Sequence, residues 1–250
     1  MKTLSMKSLL GALVLLSAPA FADSTTSIPA FEASITAAKS ASSPGGTTIL
    51  RSEIRTALDA FLNDVGYGVD SAERTYLTTR LNDTPFQQSM TGTAAKYFAD
   101  FHEVNDAAIT GAPLYLNAVP QTPASLFGAT GSFSSARIYE GYIPNGQGVA
   151  NQQTLGEAFS GAFGPQASIF EPITVRELIA QLSAYSYNVD EVEGAVAYIT
   201  QISRNSNRLY RTGWSCRGCG APGYTQGFAI AAVSTDRRFV RMISITTYAD

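Results

Sequence analysis

The sequence is poor in the residues that most often carry catalysis: its 250 residues include one histidine, His102, and no lysine follows Lys96. A zinc-peptidase helix of the type His-Glu-x-x-His needs a second histidine four residues after the first, and that position is Asp106. The Gly-x-Ser-x-Gly turn of serine hydrolases is absent as well. We therefore interpret His102 as a histidine at the boundary of a helix, beside Phe98 and Phe101, and name no catalytic residue.

Long apolar runs are also missing, apart from one short stretch near the start. Lys2 gives a basic beginning, Leu9–Leu16 is apolar but too short to span a bilayer, and Ala20–Ala22 is a small-x-small cleavage site. Residues 1–22 are therefore predicted to be a secretory signal peptide, and the mature chain is expected to start at Asp23. No transmembrane segment is predicted in the mature chain. We expect a bacterial protein of the periplasm or the extracellular medium.

Two cysteines, Cys216 and Cys219, are too few for a disulfide scaffold, but an oxidising compartment favours their pairing. Their two-residue spacing also allows a redox-active pair or two ligands of one metal ion. A redox pair needs its first cysteine at the start of a helix, and Gly220 and Pro222 argue against a helix there. Zinc normally takes four ligands. We therefore expect a disulfide that closes a loop, and we predict neither a metal nor a cofactor.

Charge is distributed unevenly along the chain. Asp23–Ser203 contains 18 acidic and 8 basic residues, whereas Arg204–Asp250 contains 7 arginines and 2 acidic residues. Such asymmetry indicates either an anionic partner or docking of the basic end on the acidic region of the same chain. The sequence leaves both interpretations open.

The region before residue 111 is predicted to be helical. Residues 23–46 predict a loose Ser/Thr-rich segment, a short helix that begins near Pro29, and a flexible linker. Residues 47–110 carry apolar side chains at spacings of three and four, which predicts a small helical bundle. Its helices are expected to begin at Thr47, Asp70, Thr84-Pro85 and Thr93.

Residues 111–250 are predicted to mix helices and strands. Proline and glycine interrupt the first part, in which Arg137–Ile143 is the clearest strand. A Thr or Asp followed three positions later by Glu predicts capped helix starts at Thr154, Thr174 and Asp190. The last two of these helices form a pair ahead of the end of the chain. That end is rich in β-branched and aromatic residues and predicts a three-stranded antiparallel sheet whose middle strand is covered on both faces: Asn207–Trp214, Gln226–Ser234 and Arg238–Tyr248.

One segment has part of the ligand spacing of a calcium-binding helix–loop–helix. Asp64, Asp70 and Glu73 fall on acidic positions, but Leu62 stands at the first ligand position and Tyr67 at the glycine position. With three carboxylates a tight calcium site is not expected. Asp70 and Glu73 are interpreted instead as the capping box of a helix.

The arginines of the C-terminal region and the aromatic residues near the cysteine loop are the candidate binding residues. A guanidinium can donate two parallel hydrogen bonds to a carboxylate or phosphate, and a closed loop loses little entropy on binding. The expected partners are an anionic glycan, a lipid phosphate or an acidic protein surface. The candidate surface comprises Arg208, Arg211, Trp214, Arg217, Tyr224, Arg237 and Arg238.

The sequence therefore predicts an exported α+β protein: an N-terminal helical bundle, then a helix pair and a small C-terminal antiparallel sheet. The favoured hypothesis is a non-enzymatic binding or interaction protein that uses its arginine-rich end. One alternative is a secreted hydrolase that acts on a cell-wall or glycan polymer through carboxylates that sequence order does not identify. A third is a structural or effector role that depends on a partner chain.

Overall fold

The computed structural model describes residues 24–63, 68–106, 114–120, 135–185, 189–203, 206–218 and 223–249. The predicted signal peptide lies outside these residues and stays a prediction. No helix in the described part of the chain has the length and apolar character that a membrane crossing requires. Within the same residues there are eight α-helices and one six-stranded antiparallel sheet, which confirms the predicted mixed α+β class.

Helices and strands are numbered in chain order. The helices are α1 (Ser24–Ala38), α2 (Arg51–Leu58), α3 (Ser71–Leu81), α4 (Thr84–Gln88), α5 (Gly92–Asn105), α6 (Gln152–Phe163), α7 (Val175–Tyr185) and α8 (Val189–Ile202). The strands are β1 (Asn117–Ala118), β2 (Ser135–Tyr142), β3 (Glu171–Pro172), β4 (Ser206–Arg217), β5 (Tyr224–Ser234) and β6 (Phe239–Ala249).

Helices α1 to α5 form a helical unit with its own hydrophobic core. Phe31 of α1 lies at the centre, with its ring centroid 5.3 Å from that of Phe61, 6.3 Å from that of Phe86 and 6.4 Å from that of Phe98. Each such aromatic pair adds about 0.5–1.5 kcal/mol beyond the apolar area that it buries. The first helix is therefore an integral part of the bundle.

Helix α1 corrects the prediction of a loose segment before Pro29. It begins at Ser24, so Pro29 lies inside the helix rather than at its start. Phe31 and Ile35 are buried in the core of the helical unit. Tertiary burial of this face supplies more stability than local propensity does in a helix of this length, and it outweighs the poor composition of the first turn.

Two predicted capping boxes are confirmed. The Oδ1 atom of Asp70 accepts hydrogen bonds from the first turn of α3, and Glu73 accepts one from the N–H of Asp70 at 2.8 Å. Thr174 and Glu177 form the same reciprocal pair at the start of α7. Helix α2 begins at Arg51, later than expected.

Two predicted helix starts are displaced by a competing residue nearby, and a third lies one residue inside its helix. Helix α5 is capped by Thr91 and not by Thr93. Helix α6 is capped by Asn151, which exchanges two hydrogen bonds with Thr154, so Thr154 lies inside the helix. Asp190 is the second residue of α8, and the three residues before that helix lie outside the described part. Asn and Thr are both good caps, and tertiary packing decides which of two close candidates is used.

The sheet is larger than the three strands that the sequence predicts. Its strand order is β1-β2-β6-β5-β4-β3, and every neighbouring pair is antiparallel. The three predicted strands are its long central members. Strand β2, which covers most of the predicted strand Arg137–Ile143, pairs with β6 along its whole length, and the two-residue strands β1 and β3 form the edges.

Both faces of the sheet are covered, as predicted for the middle strand. Phe228 and Ile230 of β5 pack against α7 and α8 around Leu182. The alternate residues Ala229 and Ala231 face α6 and its Phe159. Side chains of a strand alternate between faces, so a run that is apolar on both alternations requires two covering layers.

Candidate functional site

The arginines predicted to form one binding surface lie in different places, and two of them join the sheet to the helical unit. Arg208 on β4 donates from Nε and Nη2 to both carboxylate oxygens of Glu103 on α5. Burial by itself raises the pKa of Glu103, but the hydrogen bond and charge of Arg208 outweigh it, and the pKa is lowered. This contact is the docking within the chain that the charge asymmetry allows.

Arg237, in the turn between β5 and β6, is the second of these arginines. Its guanidinium donates to both carboxylate oxygens of Asp106, at 2.6 and 3.0 Å, and to the carbonyl oxygens of Glu103 and Ala150. A cation at this position also complements the partial negative charge at the C-terminal end of α5. Arg237 has a φ of 59°, in the left-handed region that few residues other than glycine adopt. Its geometry is that of a structural anchor.

Arg238 and Arg211 are also engaged with groups of the same chain. Arg238 donates from Nε and Nη2 to the carbonyl oxygen of Ile143, at 2.8 and 2.6 Å, and its guanidinium lies 4.7 Å from the ring centroid of Tyr142. Arg211 stands opposite Glu171 in the register of β3 and β4 and lines a cavity of about 210 Å³. These side chains do not converge on the surface that the sequence predicts.

Trp214 is buried, with 8% of its surface exposed, and does not form part of an exposed contact surface. It shares a face of β4 with Tyr210, and that face packs towards α6. A Cβ atom on Gly227 would lie 2.6 Å from the indole Cζ2, so the ring fits because the opposite residue is glycine. Side chains of a strand alternate between its two faces, and composition alone does not show which face a given residue takes. In β4 Trp214 takes the buried face.

Arg217 and Tyr224 are the members of the predicted surface that are exposed at one place. They stand opposite each other at the tip of the β4–β5 hairpin, which the hydrogen bond from Gly218 N–H to Gly223 O closes at 3.0 Å. Cys219 lies outside the described residues, so its disulfide with Cys216 stays a prediction.

His102 on α5 lies against α3. Its Nε2 atom lies 2.8 Å from Oγ1 of Thr78 on α3, and burial lowers the pKa of the imidazole. Glu73 is fully buried and accepts a hydrogen bond from Ser27, while Asp64 lies outside the described part. The described residues contain no group of three or more His, Cys, Asp or Glu side chains that could hold a metal ion.

A cleft with a volume of about 810 Å³ lies where the helical unit meets the sheet layer. Four separate segments form its walls: the approach to α3 at residues 68–70, the end of α5 at 104–105, the first turns of α6 at 152–156, and the stretch 166–169. Clefts of this size and at such junctions are the usual places for ligands in proteins. We therefore take this cleft, hereafter the junction cleft, as the candidate site.

The polar lining of the junction cleft is dominated by side-chain amides. A primary amide both donates and accepts hydrogen bonds, so it suits neutral partners that do the same. One positive group, Arg74, and one negative group, Asp70, are present among the described lining residues. The amides are those of Asn105, Gln152, Gln153 and Gln166. Gln152 bonds Phe170 with both of its polar groups, and Asn105 and Gln153 each donate one hydrogen bond within the chain.

The two carboxylate oxygens of Asp70 have different surroundings. Its Oδ1 atom caps α3, whereas its Oδ2 atom is buried and has no hydrogen-bond partner in the described part of the chain. A buried acceptor without a donor costs about 1–3 kcal/mol. Because this oxygen is buried, a ligand in the cleft would reach it only after a movement of the side chain or its neighbours.

The sequence gives little signal for this site. Its residues come from stretches that are far apart in the chain, and half of them fall between residues 150 and 170, where proline and glycine hide any periodicity. The glutamines of that stretch are the one feature of the sequence that could have indicated a polar site there. The sequence does indicate Asp70, but as a helix cap.

Comparisons with protein-family models, with curated proteins and with solved structures find no match to this chain. The chemistry of the site itself therefore has to indicate the function.

Proposed function

We propose that this chain is an exported, non-enzymatic binding protein that holds a neutral, polar ligand in the junction cleft. The observation that supports the proposal is the lining: several amides and a balanced pair of charges around a cleft of about 810 Å³. Such a lining gives orientation through hydrogen bonds without demanding a charged ligand. Export rests on the predicted signal peptide.

The described lining does not favour the hydrolase alternative. Hydrolysis of a glycan by paired carboxylates needs two acids that flank the bond. Asp70 is the one carboxylate among the described residues of the cleft, and its Oδ1 atom already accepts hydrogen bonds from the first turn of α3. A binding role is therefore the simpler interpretation.

Gly156 offers a direct test of the cleft. It lies in α6 and lines the cleft, and a Cβ added there meets no atom within 4 Å. Gly156→Leu should therefore fill the cleft without disturbing the helix. Gly161→Leu is the matched control, because Gly161 lies in the same helix, has the same free space and does not line the cleft.

The experiment is thermal unfolding of both variants and the unaltered protein with neutral oligosaccharides, peptide mixtures and sulfated glycans. A ligand at a hundredfold excess over its Kd stabilises the folded state by about 2.7 kcal/mol. We expect at least one neutral ligand to raise the Tm of the unaltered protein and of G161L but not that of G156L. If every stabilising ligand acts equally on G156L and G161L, the cleft is not the binding site.

The hairpin tip supports a second candidate function, contact with an anionic partner. Arg217 and Tyr224 are both exposed there and lie side by side, which keeps part of the predicted arginine-rich surface. Arg217→Glu should lower the salt concentration at which the protein leaves a sulfated-glycan column. Arg176→Glu, an exposed arginine on α7, controls for net charge. Equal elution of the two variants would remove this candidate.

A further inference from the structure

The wall of the junction cleft at residues 166–169 continues the outer edge of the sheet. The N–H of Ser168 donates to the carbonyl oxygen of Gly213 at 2.9 Å, and Ala167 forms an antiparallel bridge with Trp214. Farther along, the N–H of Ile173 donates to the carbonyl oxygen of Leu209 at 2.9 Å. This wall therefore runs beside β4 as an irregular edge strand.

The edge presents main-chain groups to the cleft. In an antiparallel ladder successive residues direct their N–H and C=O groups to opposite sides, so a residue next to a bonded one faces outward. Ser168 is bonded to β4, which directs the polar groups of Ala167 and Ile169 away from that strand. Within the described part of the chain neither N–H has a hydrogen-bond partner, and both residues line the cleft.

Gln152 shows what kind of group fits this edge. The register against β4 shifts by one residue between the Ala167–Trp214 and Glu171–Arg211 pairs, so Phe170 as well as Ile169 directs its main-chain groups away from β4. The side-chain amide of Gln152 accepts from the N–H of Phe170 at 2.9 Å and donates to the carbonyl oxygen of Phe170 at 2.6 Å. These are the two hydrogen bonds that a peptide group of an added strand would make with one residue of an edge. The primary amide of Gln152 thus occupies the position next to the open part of the edge as a substitute for a strand.

The opposite wall leaves room for an extended chain. Alternate side chains of a strand point to opposite faces, and the cleft offers free space above Gly156. The outward groups of Ala167 and Ile169 repeat every second residue, about 6.8 Å apart along the edge. A peptide backbone repeats its donors and acceptors with the same period, whereas a sugar chain does not.

We propose that the junction cleft binds an extended peptide segment, which adds as a strand to the open edge at residues 166–169. The inference rests on the proposed binding function of the cleft and names its ligand class. Main-chain hydrogen bonds supply affinity in this mode, and pockets for alternate side chains supply specificity. The near-neutral lining favours a peptide without a strong net charge.

Amide hydrogen exchange of the full mature chain tests the edge before any ligand is known. In the free protein the amide of Ser168 should exchange slowly, because Gly213 accepts from it, while the amides of Ala167 and Ile169 should exchange rapidly. Slow exchange at all three positions in the free protein would mean that the edge is already paired, and this would overturn the proposal.

Selection from a displayed library of random linear peptides then supplies a probe. The enriched peptides should bind the unaltered protein and G161L, and G156L should bind them at least about tenfold more weakly, which corresponds to about 1.4 kcal/mol. Bound peptide should slow exchange at Ala167 and Ile169 specifically. Failure to enrich any peptide whose binding is lost in G156L would overturn the proposal.

Backbone methylation of the selected peptide separates strand addition from other modes of peptide binding. An N-methyl group removes one main-chain donor, so methylation at alternate residues should weaken binding by up to about tenfold, and methylation at the residues between them should have little effect. A uniform response along the peptide would contradict strand addition. If a neutral oligosaccharide, and no peptide, binds in a G156L-sensitive manner, the proposed function stands and the peptide inference fails.

Discussion

Arg237 combines an unfavourable backbone conformation with a dense set of side-chain contacts. Its φ of 59° is one that a residue with a Cβ adopts at a cost of about 1–2 kcal/mol. The contacts with Asp106, Glu103 and Ala150 outweigh this cost, because charge-assisted hydrogen bonds are the stronger kind. The side-chain contacts of Arg237 therefore stabilise a backbone conformation that is unfavourable for arginine.

Two substitutions separate these contributions. Arg237→Ala should destabilise the fold by about 2–4 kcal/mol, because it leaves Asp106 without its partner and retains the backbone cost. Arg237→Gly loses the same contacts but removes the backbone cost, so it should be more stable than R237A by about 1 kcal/mol. Urea unfolding measures both. If R237G is equal to or less stable than R237A, this turn stores no strain. Arg176→Ala is the control: it removes an exposed arginine and should change the stability little.

At the scale of single elements, β5 was predictable and the edge of the sheet was not. Phe228–Val233 is apolar on both alternations, and this pattern alone predicts a central strand. The edge stretch 166–170 has no such pattern, because it pairs on one side only and Gln152 replaces a strand at its end. The sequence predicts helix α6 but places its cap at Thr154 instead of Asn151, because both residues are acceptable caps.

The contact between β4 and β5 at Gly227 is a second element-scale feature. A Cβ atom there would collide with the carbonyl oxygen of Ile245 and with the indole of Trp214, and the main-chain oxygen cannot move away alone. Gly227→Ala should therefore destabilise the protein by about 1–3 kcal/mol or more. In β4, Gly213 is the control, because an added Cβ would meet only Ser168 Oγ at 4.0 Å. Comparable losses in G227A and G213A, measured by urea unfolding, would disprove this packing argument.

For the whole molecule, charge asymmetry was the informative sequence feature. It allowed an external partner or docking within the chain, and the contacts of Arg208 and Arg237 with α5 show that docking occurs. Arg51–Glu177 and Arg55–Glu171 add two further ion pairs, which join α2 to α7 and to β3. The sequence could not pair these residues, because each pair joins elements that are far apart in the chain. For the same reason it could not reveal the junction cleft.

These ion pairs make the stability of the molecule depend on pH. The pKa of Glu103 is lowered in the folded protein: burial opposes ionisation, but Arg208 more than compensates. A carboxyl group with a lowered pKa stabilises the fold above its unfolded pKa and loses that contribution as pH falls through the folded value. Asp100, on the same helix, has its pKa raised by burial and acts in the opposite direction. The effect of Glu103 must therefore be isolated by substitution.

Glu103→Gln provides that comparison. At neutral pH, E103Q should be less stable than the unaltered protein by about 1–3 kcal/mol, because a neutral amide accepts more weakly from Arg208 and leaves its charge unpaired. As pH falls below the ordinary carboxyl range, Glu103 becomes protonated and the two stability curves should converge. Urea unfolding across the pH range measures the difference, with Glu157→Gln on the exposed face of α6 as the control for loss of one charge. A gap between E103Q and the unaltered protein that stays constant with pH would show that the Arg208–Glu103 contact acts through shape rather than charge.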